Sequence, residues 1–173
     1  MVVLSRQMKT LEIRTITPED KYGVLEVYRQ CEDFLALGPE AHASLEMVLK
    51  DIEEARLEGG VFRGIFSADS MIGVVSYIPG NFEGKRDVAF LLLLMIAAPF
   101  RRKGTGTEIV KRIEKEILTD MQITMILTGA QVNNPEALRF WQKHGYRIVG
   151  GPELMPDKTT VFRLCKDREQ LAK

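Results

Sequence analysis

The segment Ile96-Ala97-Ala98-Pro99-Phe100-Arg101-Arg102-Lys103-Gly104-Thr105-Gly106-Thr107 joins two contrasting stretches of sequence. The apolar run 89–96 (AFLLLLMI) precedes it and predicts a buried strand. An amphipathic helix is predicted after it, from apolar residues at helical spacing: Ile109, Val110, Ile113 and Ile117. The first N–H groups of a helix have no partner within it, and the helix dipole places partial positive charge there. The segment therefore predicts a phosphate site, and a pyrophosphate is the group we expect.

Three phosphate-binding patterns can be compared with this turn. A Walker A loop needs a lysine after its last glycine, whereas Lys103 precedes both glycines. A dinucleotide-binding fingerprint needs a third glycine where Ile109 stands, and lies near the start of its fold. The third pattern, Arg/Gln-x-x-Gly-x-Gly after an apolar strand, is met by residues 101–106. It resembles the coenzyme A loop of the GNAT superfamily of N-acetyltransferases. A tight strand-to-helix turn with an incidental basic cluster is the remaining alternative for the loop alone.

A second segment, residues 134–146 (NPEALRFWQKHGY), resembles another signature of the same superfamily. Its residues predict a capped helix: Asn133 or Asn134 suits the N-cap, Pro135 the first turn, and Gly145 the left-handed C-terminal cap. The apolar face would consist of Ala137, Leu138, Phe140 and Trp141. With both signatures in this order, the chain is identified as a member of the GNAT superfamily.

The resemblance implies an α/β (α+β) fold: a mixed, twisted sheet of about seven strands with about four flanking helices, splayed between the fourth and fifth strands. The sequence patterns agree with the order βααβββαβαββ. In chain order, the predicted elements are strand 11–15, helices 18–31 and 42–57, strands 61–67 and 71–78, strand 89–96, the helix after the turn, strand 123–128, the Asn134 helix, and strands 146–149 and 160–164.

Composition narrows the class of protein. The 173 residues predict one domain, 1–173, in which residues 1–9 form a loose N-terminal extension. The formal net charge is zero, from 24 acidic and 24 basic residues, so neither nucleic acid nor a membrane surface is expected as a partner. Cys31 and Cys165 form neither a disulfide framework nor metal-ligand spacing, and no apolar span reaches 18 residues. We expect a cytoplasmic protein without a metal site.

The resemblance also implies roles for individual residues toward acetyl-CoA as co-substrate. Backbone groups of Leu94, Met95 and Ile96 would bind the pantetheine arm and polarise the acetyl carbonyl. Asn134 would hydrogen-bond the same arm, with a plain helix N-cap as the alternative role. The pyrophosphate would be wrapped by Arg102, Lys103, Gly104, Thr105, Gly106 and Thr107, with a hydroxyl contribution from Thr107.

Proton-transfer residues are not assigned by motif. Many members carry a tyrosine where this chain has Trp141, and some carry a glutamate where it has Gly129. Tyr146 is the one weak candidate for a catalytic residue, and water is the alternative. Around the acceptor, the resemblance implies a wall formed by residues 34–38, with Glu32 and Asp33 as candidates to attract an amine or as a solvated charge pair.

The function expected from these residues is acetyl-CoA-dependent N-acetylation of a primary amine on a small molecule or peptide. Direct transfer is expected because no cysteine lies near the proposed site in sequence. Two alternatives stay open: a non-catalytic module that binds coenzyme A or acyl-CoA, and a dinucleotide-binding domain. Dimers are common in the family, so a homodimer is one expected assembly, although no segment marks an interface.

Overall fold

The computed structural model describes residues 10–171, and the predicted extension, residues 1–9, lies outside them. Within that range the chain forms seven strands and six α-helices. The strands are β1 (Leu11–Thr15), β2 (Val61–Ser67), β3 (Ser70–Ile78), β4 (Val88–Ile96), β5 (Met125–Gln131), β6 (Arg147–Leu154) and β7 (Thr160–Asp167). The helices are α1 (Lys21–Arg29), α2 (Glu32–Leu35), α3 (Leu45–Leu57), α4 (Thr105–Ile117), α5 (Pro135–Lys143) and α6 (Arg168–Leu171).

All seven strands join one mixed sheet in the order β1-β2-β3-β4-β5-β7-β6. Neighbouring strands are antiparallel except for β4 and β5, which are parallel. This confirms the predicted seven-stranded mixed sheet. Because β7 lies between β5 and β6, the β6–β7 hairpin extends the sheet on the β5 side.

Helices pack on both faces of the sheet, and the alternation of side chains along the strands separates two cores. α1 and α3 cover one face, where Val24 and Val48 are fully buried with Val74 of β3. α4 and α5 cover the other face, which receives Val75 and the predicted apolar stripe of α4: Ile109, Val110, Ile113 and Ile117. The two layers share one sheet, and a single domain over residues 1–173 stays a prediction.

The first two predicted helices are shorter in the structure. α1 ends at Arg29, and Cys31 (φ −118°, ψ 19°) separates it from the four-residue α2. Tertiary contacts account for the break, because Arg101 binds both the Gln30 carbonyl and the Asp33 carboxylate. α3 begins at Leu45 rather than at residue 42, since the Ser44 hydroxyl accepts the Met47 N–H at 3.1 Å.

The C-terminal strands also differ from the prediction. β5 spans Met125–Gln131 rather than 123–128, because its pairing with β7 continues to Gln131. β6 continues through Gly150 and Gly151, beyond the predicted end of this strand at residue 149, because register shifts on that strand preserve its pairing with β7. Among residues 10–171 no helix has the length and apolar character needed to cross a membrane.

Candidate active site

The sheet opens between its two central parallel strands. β4 and β5 pair over residues 88–91 and 125–128 only. At the last paired position the Thr128 hydroxyl donates to the Leu91 carbonyl at 3.0 Å. Beyond it β4 continues to Ile96 and β5 to Gln131 without pairing with each other. The predicted splay is therefore present, and it begins immediately after Leu91; we call this point the fork.

Beyond the fork, no strand in the described range, residues 10–171, pairs with one edge of β4. On its other edge the Ala97 N–H donates to the Ile72 carbonyl across from β3, at 2.8 Å. Main-chain groups alternate in direction along a strand, so those of Met95 also face β3, whereas those of Leu94 and Ile96 face the opening. Of the three predicted backbone ligands, Leu94 and the N–H of Ile96 are thus directed into the gap, whereas the Ile96 carbonyl accepts hydrogen bonds from Arg101 Nε and the Cys31 thiol.

The turn between β4 and α4 presents a row of main-chain donors. Arg102 (φ 57°) and Gly104 (φ 80°) are both left-handed, and Gly104 is the N-cap of α4. In the described part of the chain, no N–H group from residue 102 to residue 107 donates to a protein acceptor. The dipole of the 13-residue helix adds partial positive charge at the same point. This geometry suits an anion, as the sequence predicts for this turn.

The two glycines of the turn meet different requirements. Gly104 has a left-handed backbone, which favours glycine. A Cβ at this position would touch no other atom within 4 Å, so glycine also keeps the space above the turn open. A Cβ on Gly106 would lie 3.3 Å from the Phe140 ring. Gly106 therefore lets α4 pack closely against α5.

Two of the five basic residues between positions 101 and 112 do not face the anion turn. Arg101 turns away from the anion turn: its Nε donates to the Ile96 carbonyl at 2.7 Å, and its guanidinium forms a bidentate pair with Asp33. Arg112 donates to the Leu11 carbonyl and pairs with Glu108. Both arginines thus hold elements together instead of facing a ligand.

Three other cations stay near the turn. Arg102 pairs with Glu136 at 2.8 Å, and both side chains are exposed to solvent. Lys103 and Lys111 form no ion pair with any residue between 10 and 171. These three side chains can contribute electrostatic attraction for a polyanion, while the main-chain donors supply the directional contacts.

The Thr107 hydroxyl contacts a histidine of the neighbouring helix. His144 Nδ1 lies 2.7 Å from the Phe140 carbonyl oxygen, so this nitrogen carries a proton and donates. His144 Nε2 lies 3.0 Å from Thr107 Oγ1 and accepts the hydroxyl proton when the imidazole is neutral. The Thr107 hydroxyl is therefore engaged by His144 in this structure, whereas the Thr107 main-chain N–H has no acceptor among residues 10–171, and the role of Thr107 toward a phosphate stays a prediction.

Asn134 caps α5 as the sequence suggests. Its Oδ1 accepts the Ala137 N–H at 3.0 Å, and Pro135 occupies the first helical position. The helix ends at Gly145, whose φ of 88° gives the predicted left-handed cap. The cap occupies the amide oxygen of Asn134, and its Nδ2 donates to no acceptor among the described residues. That nitrogen is the group that a ligand along the fork could use.

A cleft of about 790 Å³ opens at the fork on the face covered by α3. Leu92, Leu93, Thr128 and Gly129 lie at its base, α3 forms one wall, and the β6–β7 hairpin forms the other. The ionisable side chains that line it are five carboxylates and one guanidinium: Asp51, Glu54, Glu58, Glu83, Glu153 and Arg163. Arg163 already forms a bidentate pair with Glu83, so the cleft is acidic overall.

Comparison with known proteins decides the family. Residues 22–146 match the model of the acetyltransferase (GNAT) family, a span that exceeds half of the chain and includes both sequence signatures. The chain belongs to the acetyltransferase (GNAT) family.

Relatives of known name agree with the GNAT assignment. The probable N-acetyltransferase san of Drosophila melanogaster is 31% identical over 85 residues, which cover 49% of this chain. The match spans 46% of the length of that relative, or about half.

Solved GNAT structures share the fold over nearly the whole chain. An acetyltransferase from Thermus thermophilus is similar with a TM-score of 0.76 at 22% identity, covering 91% of this chain and 97% of that one. The aminoglycoside acetyltransferase AAC(6')-Ib, solved with coenzyme A, gives 0.75 at 19% identity over 94% and 98%. Spermidine N-acetyltransferase from Vibrio cholerae, solved with coenzyme A and spermine, gives 0.71 at 15% identity over 94% and 98%. At these identities the likeness shows the fold alone.

The two positions at which the resemblance led us to look for proton-transfer groups, Trp141 and Gly129, carry none. Trp141 is buried, with its ring in edge contact with Phe140 and Tyr146 at centroid distances of 5.1 Å. Gly129 lies at the base of the acidic cleft, and a Cβ there would have no other atom closer than 3.9 Å. The first position is filled by a packing residue, and the second leaves free space in the cleft.

Tyr146, the weak catalytic candidate, lies in a buried polar contact. Its hydroxyl donates to Glu114 at 2.9 Å, and Glu114 also binds Lys166. Burial and the adjacent Glu114 carboxylate raise the pKa of Tyr146 above its ordinary value. A hydroxyl whose proton is already held by a carboxylate is poorly placed to protonate a thiolate, so the geometry assigns Tyr146 a structural role.

Tyr146→Phe is accordingly expected to leave the turnover number within about twofold of wild type. The loss of one hydrogen bond to a charged acceptor should lower the free energy of unfolding by about 1–2 kcal/mol. Urea unfolding and an acetyl-transfer assay on the same preparation check both values. A more than tenfold loss of turnover in the folded variant would return Tyr146 to the catalytic machinery.

The structure places Cys31 beside the candidate active site, although no cysteine lies near that site in sequence. The Cys31 thiol lies 3.4 Å from the Ile96 carbonyl, beside the end of β4, although 65 residues separate the two in sequence. The side chain is buried among α1 residues, and burial raises the pKa of the Cys31 thiol. A buried thiol that favours its protonated form is a poor nucleophile. The expectation of direct transfer therefore depends on this burial, because the distance of Cys31 from the site does not support it.

Glu32 and Asp33 connect elements instead of facing an amine. Glu32 accepts the Ala43 N–H at 2.9 Å and pairs with His42, while Asp33 binds Arg101. These contacts attach α2 to the start of α3 and to the anion turn. The α2–α3 loop is held further by Asn133, whose Nδ2 donates to the Leu37 carbonyl at 3.1 Å.

The acidic wall of the cleft was not predicted from the sequence. Asp51, Glu54 and Glu58 lie three and four residues apart, which places them on one face of α3. This spacing was the available signal, but a row of helix carboxylates is usually solvated. Only the fold shows that this row faces the fork.

Proposed function

We propose that this GNAT protein transfers the acetyl group of acetyl-CoA directly to a primary amine of a small molecule or peptide. The observation that carries the proposal is the fork. One approach to it leads from the donor-rich turn at the start of α4, and another opens into an acidic cleft. A polyanionic acyl donor and a cationic amine suit these two approaches.

The acyl donor would be held mainly by main-chain groups. The N–H groups of residues 102–107 would contact the pyrophosphate, with electrostatic support from Arg102, Lys103 and Lys111. Leu94 and Ile96 would contact the pantetheine arm and the thioester carbonyl in the opening beyond the fork. Asn134 Nδ2 would reach the same arm from the start of α5.

Much of the rate enhancement would come from holding the amine against an already activated thioester. Positioning two reactants in this way contributes up to about 7–11 kcal/mol in the most favourable cases. A main-chain N–H directed at the thioester oxygen would add stabilisation of the negative charge that develops there.

The direct route predicts that Cys31→Ala retains at least half of the wild-type turnover number. The substitution removes a buried thiol, so the free energy of unfolding should fall by about 1–2 kcal/mol. Incubation of wild type with radiolabelled acetyl-CoA in the absence of amine should leave the protein unlabelled. Stoichiometric labelling that Cys31→Ala abolishes would establish a covalent acetyl-enzyme instead.

The choice of amine is guided by the charge of the cleft and by the solved relatives. An aminoglycoside acetyltransferase and a spermidine N-acetyltransferase share the fold, and both names denote polycationic acceptors. We propose a small-molecule polyamine-like acceptor for the same reason, with a peptide amine as the second class. The two buried, unpaired cysteines agree with a reducing cytosol as the proposed location, and a homodimer stays a proposal.

A non-catalytic module that binds coenzyme A is the second candidate. It is favoured by Trp141 and Gly129, since neither position carries a proton-transfer group. Release of coenzyme A thiol from acetyl-CoA, measured with a panel of butylamine, 1,4-diaminobutane, spermine, kanamycin and an unblocked peptide, separates the candidates. Amine-dependent release supports the transferase. Thermal stabilisation by acetyl-CoA without release for any amine supports the binding module.

A further inference from the structure

One carboxylate of the cleft differs from the others in its surroundings. Asp51 lies on the α3 wall, and Tyr28 of α1 donates its hydroxyl proton to Asp51 Oδ2 at 2.7 Å. Tyr28 is fully buried, so its ring fixes the position of the carboxylate. Oδ1 has no hydrogen-bond partner among residues 10–171. The geometry therefore leaves one oxygen of a rigidly held carboxylate available to a ligand in the cleft.

Other acidic residues of the cleft do not combine a fixed position with a free carboxylate oxygen. Glu54 is largely exposed and lies 3.9 Å from Lys50, and Glu83 is occupied by Arg163. Within the described range no three His, Cys, Asp or Glu side chains come close enough together to hold a metal ion. The arrangement suits an organic cation better than a metal.

We propose that Asp51 is the general base of the acetyl transfer and that it removes a proton from a cationic amine bound in the cleft. This inference rests on the proposed function, because it assigns a residue to that reaction. Asp51 lines the same cleft as Leu92, Leu93 and Gly129, the residues where β4 and β5 separate. An amine in this cleft approaches the fork from the side opposite to α4 and α5.

With Asp51 as the single base, every proton in the reaction is accounted for. Asp51 Oδ1 takes one proton from the ammonium group, and the freed nitrogen lone pair forms a bond to the thioester carbonyl carbon. The carbon–sulfur bond then breaks, and its electron pair leaves on sulfur. A second proton passes from the attacking nitrogen to sulfur, directly or through water. The products are the amide, the coenzyme A thiol and a proton that Asp51 returns to solvent, so no tyrosine acid is needed.

The surroundings of Asp51 favour this role. Burial raises the pKa of Asp51 above its ordinary value, while the Tyr28 hydroxyl and Lys50 lower it and Glu54 and Glu40 raise it. Glu58 lines the same wall as Asp51, and the charged groups across the cleft are Glu83, Glu153 and Arg163. A carboxylate with a raised pKa is a stronger base, and general bases contribute about 10²–10⁴-fold to rates.

The test compares Asp51→Asn with Glu53→Gln, a matched loss of a carboxylate on the outer face of α3, where Glu53 pairs with Arg56. With the panel amine that gives the highest turnover, Asp51→Asn should lose on the order of 10²-fold in kcat/KM near pH 7. The deficit should shrink toward pH 9.5, because the free amine then needs no base. Glu53→Gln should remain within about twofold of wild type at each pH value.

Tyr28→Phe provides an independent readout. Loss of its hydrogen bond should raise the pKa of Asp51 further, so the acid limb of the kcat/KM profile should move to higher pH while acetyl-CoA affinity is unchanged. The inference is overturned if Asp51→Asn keeps more than half of the wild-type kcat/KM, if its deficit is equal at all pH values, or if Tyr28→Phe leaves the acid limb in place. If wild type acetylates no panel amine, the proposed function fails first, and this role fails with it.

Discussion

Gly104→Asp is expected to weaken acetyl-CoA and coenzyme A binding at least 100-fold, or about 2.7 kcal/mol. The new carboxylate would stand where the free N–H groups of residues 102–107 converge, and its charge would repel a pyrophosphate. Since a Cβ at this position touches nothing within 4 Å, the fold should tolerate the residue apart from about 1 kcal/mol of left-handed strain. Calorimetric titration measures the affinity, and thermal unfolding without ligand measures the strain.

Gly59→Asp is the matched control for this substitution. Gly59 has a similar φ of 73° and open space around its Cβ position, but it follows α3, away from the anion turn. The two variants should lose similar stability, and only Gly104→Asp should lose ligand affinity. Equal affinities in both variants would show that the turn at residues 102–107 does not hold the pyrophosphate.

Lys166→Met is expected to give the largest loss of stability among these substitutions, about 3–5 kcal/mol. Lys166 Nζ lies 3.0 and 3.1 Å from the two oxygens of Glu114, and the side chains are only 12% and 9% exposed. Removing the cation leaves a buried carboxylate whose one remaining hydrogen-bond partner among residues 10–171 is the Tyr146 hydroxyl. For a protein of this size the melting temperature should fall by roughly 10 °C.

Two companion variants identify the cause of this loss. Glu114→Gln combined with Lys166→Met should recover most of the stability, because the amide keeps an acceptor for Tyr146 without a buried charge. Arg56→Met breaks an exposed pair with Glu53 and should cost less than about 1 kcal/mol. A loss of under 1 kcal/mol for Lys166→Met itself would mean that solvent reaches the pair.

Local chemistry explains which parts of the fold could be predicted. The apolar spacing of α4, the Asn134 cap and the Gly145 turn depend on residues close in sequence, and all three are as predicted. The break at Cys31 depends on Arg101, which lies 70 residues farther along the chain, and no local pattern carries that information. The continuation of β6 through Gly150 likewise depends on its pairing with β7.

The candidate site likewise has one part that local sequence predicts and another that depends on tertiary contacts. The anion turn follows from a strand, a glycine turn and a helix that are consecutive in sequence, whereas the splay at the fork was expected only from the resemblance to the family. Asp51 reaches the cleft only because α3 packs against α1, β2 and β3, and Tyr28 meets it from α1. Sequence patterns therefore predict a candidate site for the acyl donor, whereas the candidate acceptor side could be proposed only from the tertiary structure.

Direct acetyl transfer to an amine can be tested in a single-turnover reaction with protein in excess over radiolabelled acetyl-CoA, with and without spermine. With spermine, we expect the label to pass completely to the amine, one coenzyme A thiol to be released for each amide formed, and no label to remain on the protein. Without amine, acetyl-CoA should stay bound and intact. Bound acetyl-CoA that transfers its label to neither spermine nor any other amine of the panel would contradict the transferase and leave a coenzyme A-binding module.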